Sequence, residues 1–177
     1  MKKKTITVFG SSLPVEGDDE FNFAYELGKQ LAKNNFNVCT GGYRGIMHAA
    51  SKGAAEAGGE AIGITVDLWN VKPSEYLTSE ILCKTLPERI EKLIGNGDGY
   101  VILQGGTGTL LELAFVWEML NKKLMEIKPL VCHSEMWKEI VEIMEKQIKK
   151  ENRQTGLVKP CKTIEQISEY LVKNLIR

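Results

Sequence analysis

Short apolar runs alternate with amphipathic stretches along the whole chain, and no other feature constrains its fold as tightly. Thr5-Ile6-Thr7-Val8-Phe9, Phe36 to Cys39, Ala61-Ile62-Gly63-Ile64, Ile81 to Cys83, Tyr100-Val101-Ile102-Leu103 and Lys128 to Cys132 read as strands. Between the first two, Phe21 to Lys33 carries Phe23, Leu27 and Leu31 at helical spacing, with Asp18 or Asp19 available as its cap. Ile46 to Ala57 is rich in alanine and closes at Gly58-Gly59, and further helices are predicted at Pro87 to Ile94, 109–121, 135–149 and 163–175. Residues 66–79, with Trp69, Pro73 and Tyr76, read as irregular, and a loop around Gly156 and Pro160 separates the last two helices. Strands so short and continuously apolar are buried on both faces, which requires a parallel sheet covered by helices. The expectation is a single α/β domain over 1–177, Rossmann-like and doubly wound, with a mainly parallel sheet flanked by helices. Such sheets bind ligands outside the carboxyl ends of their strands.

Charge and cysteine spacing remove several functions. Lys and Arg number 23 and Asp and Glu 23, a net charge of zero, so no polyanion-binding surface and no nucleic-acid partner are expected. Met1-Lys2-Lys3-Lys4 precedes a five-residue apolar strand rather than a signal-length stretch, and no run is long enough to span a bilayer. The chain therefore reads as cytoplasmic, with no membrane partner. Cys39, Cys83, Cys132 and Cys161 lie far apart without CxxC spacing, and His48 and His133 are the only histidines. Neither a metal site nor a disulfide is expected, and Cys39 and Cys132 read as small buried hydrophobes.

The chemistry-bearing residues follow strands as glycine turns: Gly10-Ser11-Ser12, Gly41-Gly42-Tyr43-Arg44-Gly45 and Gly105-Gly106-Thr107-Gly108-Thr109. A strand that turns through glycines into a helix leaves backbone N–H groups free, and these combine with the helix dipole to attract a phosphate. The hydroxyls of Thr107 and Thr109 add donors. One such turn alone is ordinary tight connectivity, whereas three at one sheet edge favour a ligand. Glu112 falls one turn into the following helix, where an acid beside an anion site is a candidate for chemistry; its bland reading is a first-turn glutamate complementing the dipole. Arg89 is able to grip a carboxylate or phosphate through two bonds, against a default reading as a solvated helix-face arginine. Arg44 is a possible charged contact or a solvated loop residue, and Trp117 reads as core or interface packing. His48 reads as a surface residue and His133 as a weak candidate for lining the pocket. No G-x-G-x-x-G follows the first strand, no acid ends the second, and G-x-x-x-x-G-K-[ST] is absent, which disfavours NAD and ATP.

Taken together these motifs resemble the LOG family, often labelled "lysine decarboxylase-like". Its P-G-G-x-G-T-x-x-E signature matches Gln104 to Glu112 at every specified position but the first. Val8-Phe9-Gly10-Ser11-Ser12 is similar to the family's first strand and G-S-S turn, Gly41 to Met47 to its G-G-G-x-x-G-L-M segment, and Leu86-Pro87-Glu88-Arg89 to part of its M-H-x-R-K motif. The resemblance covers about residues 5 to 150. It implies a phosphoribohydrolase that cleaves the N-glycosidic bond of a nucleoside 5′-monophosphate, such as a cytokinin ribotide or AMP, to free base and ribose 5-phosphate. Arg89 and Glu112 are then its catalytic pair, with Arg89 orienting Glu112 or the ribose hydroxyls and keeping the carboxylate ionised. The 105–109 loop holds the 5′-phosphate, and a homodimer is implied. No cofactor is implied; pyridoxal phosphate chemistry needs a Schiff-base lysine, and none lies in these loops.

The chain departs from the family pattern at Gln104 for proline, Tyr43 for glycine, and Pro87 and Ile90 for His and Lys. These changes also fit the related molybdenum-cofactor carrier-like branch, in which a similar fold and glycine loop bind a ligand without catalysis. A non-catalytic binding or carrier protein for a phosphorylated small molecule is thus the alternative.

Overall fold

The first apolar run becomes a central strand because both of its faces are covered. In the computed structural model, which describes residues 3–176, the elements are β1 (Thr5–Phe9), α1 (Asp19–Lys33), β2 (Asn37–Thr40), α2 (Ile46–Glu56), β3 (Ala61–Val66), β4 (Ser79–Cys83), α3 (Leu86–Asn96), β5 (Gly99–Ile102), α4 (Thr107–Asn121), β6 (Leu130–Cys132), α5 (Glu135–Lys150), β7 (Val158–Pro160) and α6 (Ile164–Leu175). Of the basic start, Met1 and Lys2 lie outside the described residues. The strands form one sheet in the order β4-β3-β2-β1-β5-β6-β7, and every neighbouring pair is parallel. The chain winds outward from β1 to β4 and then crosses back to β5. A topological switch point therefore opens between β1 and β5, the place where such sheets carry ligands.

Alternation along the strands sorts the core into two layers. Ile6 and Val8 face Leu27 and Leu31 of α1, Ala49 and Ala50 of α2, and Ile167 and Leu171 of α6. Phe9, Tyr100 and Ile102 face Leu93 of α3, Leu113 and Val116 of α4, and Trp137 and Val141 of α5. Among the described residues, buried side-chain polar atoms in these layers are paired, as burial demands, apart from Trp117 Nε1 and Asn121 Oδ1 on α4. Thr7 Oγ1 donates to the Leu93 carbonyl (3.0 Å) and the Tyr100 hydroxyl donates to the Ile94 carbonyl (2.7 Å), tying α3 to the sheet. Thr85, Ser134 and Thr163 cap α3, α5 and α6 by accepting N–H groups of Glu88, Trp137 and Gln166. Asp18 stands at the cap position of α1, but its carboxylate turns back to accept the Val15 N–H. All four cysteines are buried free thiols, and burial pushes Cys39 and Cys132 up to about 12, out of the nucleophilic range. Among the described residues, no helix is long and apolar enough to cross a membrane.

Element ends shift by one or two residues from the sequence expectation in several places, and two differences matter for the sheet and the site. β7 forms inside the Gly/Pro loop, as a three-residue edge strand whose terminal Pro160 has no N–H to donate. α4 begins at Thr107, two residues early, so Gly108 and Thr109 belong to its first turn.

Candidate functional site

The three glycine turns meet at the switch point, and Ser11 knots them together. Its N–H donates to the Gln104 carbonyl (2.9 Å), while its own carbonyl accepts the Ile46 N–H (2.8 Å) at the start of α2. Gly45, at φ 66°, lies against the backbone of Ser11 and Ser12, where a Cβ would collide with both. The β1, β2 and β5 turns are thus one continuous wall, set by backbone hydrogen bonds.

That wall encloses a cavity of about 660 Å³. Gly10, Ser11 and Ser12 line it from β1, Tyr43 and Arg44 from the β2 turn, and Gly106, Thr107, Gly108, Thr109 and Glu112 from α4. Gly105 lines an adjoining hollow with Ser11, Gln104 and Gly106. Gly41, Gly42 and Gly45 shape the turn without lining the cavity. The first intrahelical bond of α4 runs from the Leu110 N–H to the Gly106 carbonyl (3.0 Å), so the N–H groups of the preceding residues have no helical partner. These free donors, the positive end of the dipole and the threonine hydroxyls make a surface whose chemistry suits an anion.

Arg89 is not a solvated helix-face residue. It is 6% exposed, and α3 drives it beneath the β2 turn. Its Nε donates to the Ile64 carbonyl (2.8 Å) and Nη2 to the Gly41 carbonyl (3.0 Å). The guanidinium carbon lies 5.7 Å from the Tyr43 ring centroid and 5.4 Å from that of Trp69. Two of its three nitrogens therefore serve the scaffold, and its charge faces the cavity. Burial lowers its pKa, and the attraction of Glu112 works the other way.

Glu112 shares that cavity with Arg89, and among the described residues no hydrogen bond or ion pair joins them. Desolvation pushes its pKa up to about 7; Arg89 pulls it down but does not prevail. The resemblance implied a carboxylate held ionised by Arg89; desolvation in the cavity works against that attraction. A carboxyl tuned towards neutral pH exchanges protons in either direction.

Tyr43 does not block the opening. Its hydroxyl donates to the Val66 carbonyl and accepts the Val66 N–H, both at 2.8 Å, which pins the ring into the wall. Leu13, Met47, Trp69 and Val71 complete the cavity. The sequence reading assigned Trp69 only to an irregular segment; the available signal was an aromatic placed just after a strand's carboxyl end. His48 is half-buried and bonds Ser74 Oγ through Nδ1 (2.9 Å). His133 stacks on Phe23 (centroids 4.0 Å apart) and lines a separate cavity of about 280 Å³ rather than this one. Trp117 is buried in the core, as read.

Comparison with known proteins bears on this geometry. The model of the SLOG cluster4 family, LDcluster4, matches residues 3–167. A pyrimidine/purine nucleotide 5′-monophosphate nucleosidase of Escherichia coli (strain K12) is 31% identical over 108 residues, covering 56% of this chain and 24% of that protein. A cytokinin riboside 5′-monophosphate phosphoribohydrolase of Rhodococcoides fascians is 26% identical over 113 residues, or 62% of this chain and 57% of that one. The chain thus spans about a quarter and somewhat over half of the lengths of these two relatives. Among solved structures, the molybdenum cofactor binding protein of the phototrophic bacterium Rippkaea orientalis has the same fold, with a TM-score of 0.80 at 24% identity over 100% of this chain and 99% of that one.

Proposed function

The chain belongs to the SLOG cluster4 family, and from that premise we propose that it hydrolyses the N-glycosidic bond of a nucleoside 5′-monophosphate. One observation carries the reading: a half-buried carboxyl, pushed by desolvation up to about 7, shares a cavity with a free helix N-terminus and a buried arginine. The donors of Gly106 to Thr109, with Ser11 and Ser12, hold the 5′-phosphate. The ribose then lies over the first turn of α4, beside Glu112.

The C1′–N bond breaks through an oxocarbenium-like transition state, which ionised Glu112 stabilises. Glu112 takes one proton from the attacking water as its oxygen bonds C1′. The same proton is then available to the departing base nitrogen, so the products are free base and ribose 5-phosphate and the carboxylate is regenerated. Arg89, fixed by Ile64 and Gly41, supplies positive charge that keeps the pKa of Glu112 from rising further. The resemblance to the E. coli and R. fascians enzymes supports this chemistry. A carrier, the alternative, has no use for a desolvated acid beside its anion site. The protein works as a homodimer in this reading, with the exposed Leu110, Leu111 and Phe115 of α4 covered by a second copy.

The deciding experiment incubates the purified protein with AMP, GMP, CMP and UMP and follows free base. Release that is lost in Glu112→Gln and in Arg89→Ala supports hydrolysis. No release from any monophosphate, with tight binding that survives Glu112→Gln, rejects it in favour of the carrier.

A further inference from the structure

We propose that Trp69 is the platform on which the nucleotide's base stacks, so that this pocket reads a base by its face rather than by its edge. The inference rests on the nucleoside-monophosphate reading above and assigns the end of the cavity which that reading leaves unused.

The sheet order separates the two ends. The anion-binding turn follows β5 and Trp69 follows β3, three strand positions away, which is about 14 Å at the usual spacing. A phosphate, a ribose and a base in series fill such a span. The chemistry of the wall changes along it, from backbone donors and hydroxyls at Gly106 to Thr109, through Glu112 and Arg89, to Trp69, Val71 and Met47. Trp69 is 45% exposed although it borders the cavity and packs edge-on against Tyr43.

The ring is held rather than loose. Its centroid lies 5.7 Å from that of Tyr43 at an interplanar angle of 64°, and Tyr43 is itself fixed by its two bonds to Val66. Its segment is fastened on both sides. The Asp67 N–H donates to the Cys83 carbonyl (3.0 Å), the Ser74 N–H to the Gly42 carbonyl (2.8 Å), and a tight turn links the Val71 N–H to the Trp69 carbonyl (2.7 Å). A platform ordered before binding loses little entropy when a base settles on it.

Among the described residues the lining contains no Asn, Gln or Asp. Its serines, threonines and Glu112 lie at the phosphate and ribose end in this reading, Arg89 is bonded to the Ile64 and Gly41 carbonyls, and of the polar side chains of the β2 turn the Tyr43 hydroxyl is held by Val66, which leaves Arg44. Stacking accepts any base because every base has a π-face, and it favours the larger ring. Purine and pyrimidine monophosphates are therefore both accepted, purines more tightly.

The test measures binding by calorimetry in the Glu112→Gln background, so that turnover does not interfere, with AMP, UMP and ribose 5-phosphate as probes. Adding Trp69→Ala weakens AMP binding roughly tenfold to a hundredfold, the range of one base–aromatic stack, and leaves ribose 5-phosphate unchanged. Trp69→Phe restores most of the loss, and the preference for AMP over UMP narrows in Trp69→Ala. Equal weakening of AMP and ribose 5-phosphate, or AMP binding indifferent to the substitution, overturns the platform while leaving the nucleotide reading intact. If neither AMP nor ribose 5-phosphate binds the folded Glu112→Gln protein, the nucleotide reading fails and the platform with it.

Discussion

Arg89 donates to the carbonyl oxygen of Gly41 at 3.0 Å and can do so only because Gly41 has no side chain. A Cβ at that position would fall on the guanidinium and on Met47 Sδ. The turn glycine and the helix arginine, 48 residues apart, are therefore a single device for holding a charge under the cavity.

Gly41→Ala tests that device without replacing either proposed catalytic residue. Breaking one hydrogen bond to a charged, buried group costs about 1.5–3 kcal/mol, which for a domain of this size lowers Tm by about 5 °C. Base release from AMP falls at least tenfold, because the arginine no longer faces Glu112 as it did. A folded Gly41→Ala protein with undiminished release would show that the position of Arg89 is not used.

Glu112 links stability to pH with a sign opposite to that of most carboxylates. Its folded pKa, about 7, lies above the ordinary glutamate value, so the native state binds the extra proton between the two. Stability therefore falls as pH rises from about 4.5 to about 7 and levels off above that, by at most on the order of 3 kcal/mol. Glu112→Gln removes this loss. Denaturant unfolding at pH 8 should find the variant more stable than the parent, with the two converging near pH 4.5. A parent stability that does not decline across this window contradicts the desolvated carboxyl. The base role gives an independent reading, namely that kcat/KM for AMP rises with pH through an inflection near 7.

Most of the fold was legible because burial on both faces leaves an unmistakable mark. Thr5 to Phe9 has no polar residue beyond threonine, and it is the strand bounded on either side by β2 and β5. Edge strands leave less, which is why Leu157 to Pro160 passed for loop and why β4 extends two residues before Ile81, through exposed Ser79 and Glu80. At the site, the residues of the anion turn were readable because their donors are backbone groups placed by glycines. The burial of Arg89 was not, since a lone arginine on a helix carries no sign of the carbonyls of Ile64 and Gly41 that wait for it. Nor was the pKa of Glu112, which depends on how much water the assembled wall excludes.

The phosphate has its own test. If the N–H groups at the start of α4 hold it, adenosine lacks the group that places its ribose against Glu112. Losing several charge-assisted hydrogen bonds together lowers kcat/KM by at least a hundredfold relative to AMP, and inorganic phosphate competes with AMP. Comparable turnover of adenosine and AMP would remove the anion turn from the mechanism.

The outer face of α4 supplies the last prediction. Leu110, Leu111 and Phe115 are 41%, 46% and 36% exposed on a helix whose inner face already buries Leu113, Val116 and Leu120. Three large apolar residues left partly in water on one helix forfeit on the order of 1 kcal/mol each relative to full burial, and a second copy of the same face recovers it by two-fold symmetry. Light scattering at micromolar concentration should give the mass of two chains. Phe115→Asp places two buried charges against each other across that axis and should give one chain with an unchanged melting profile at low concentration. A parent protein with the mass of one chain would refute the dimer.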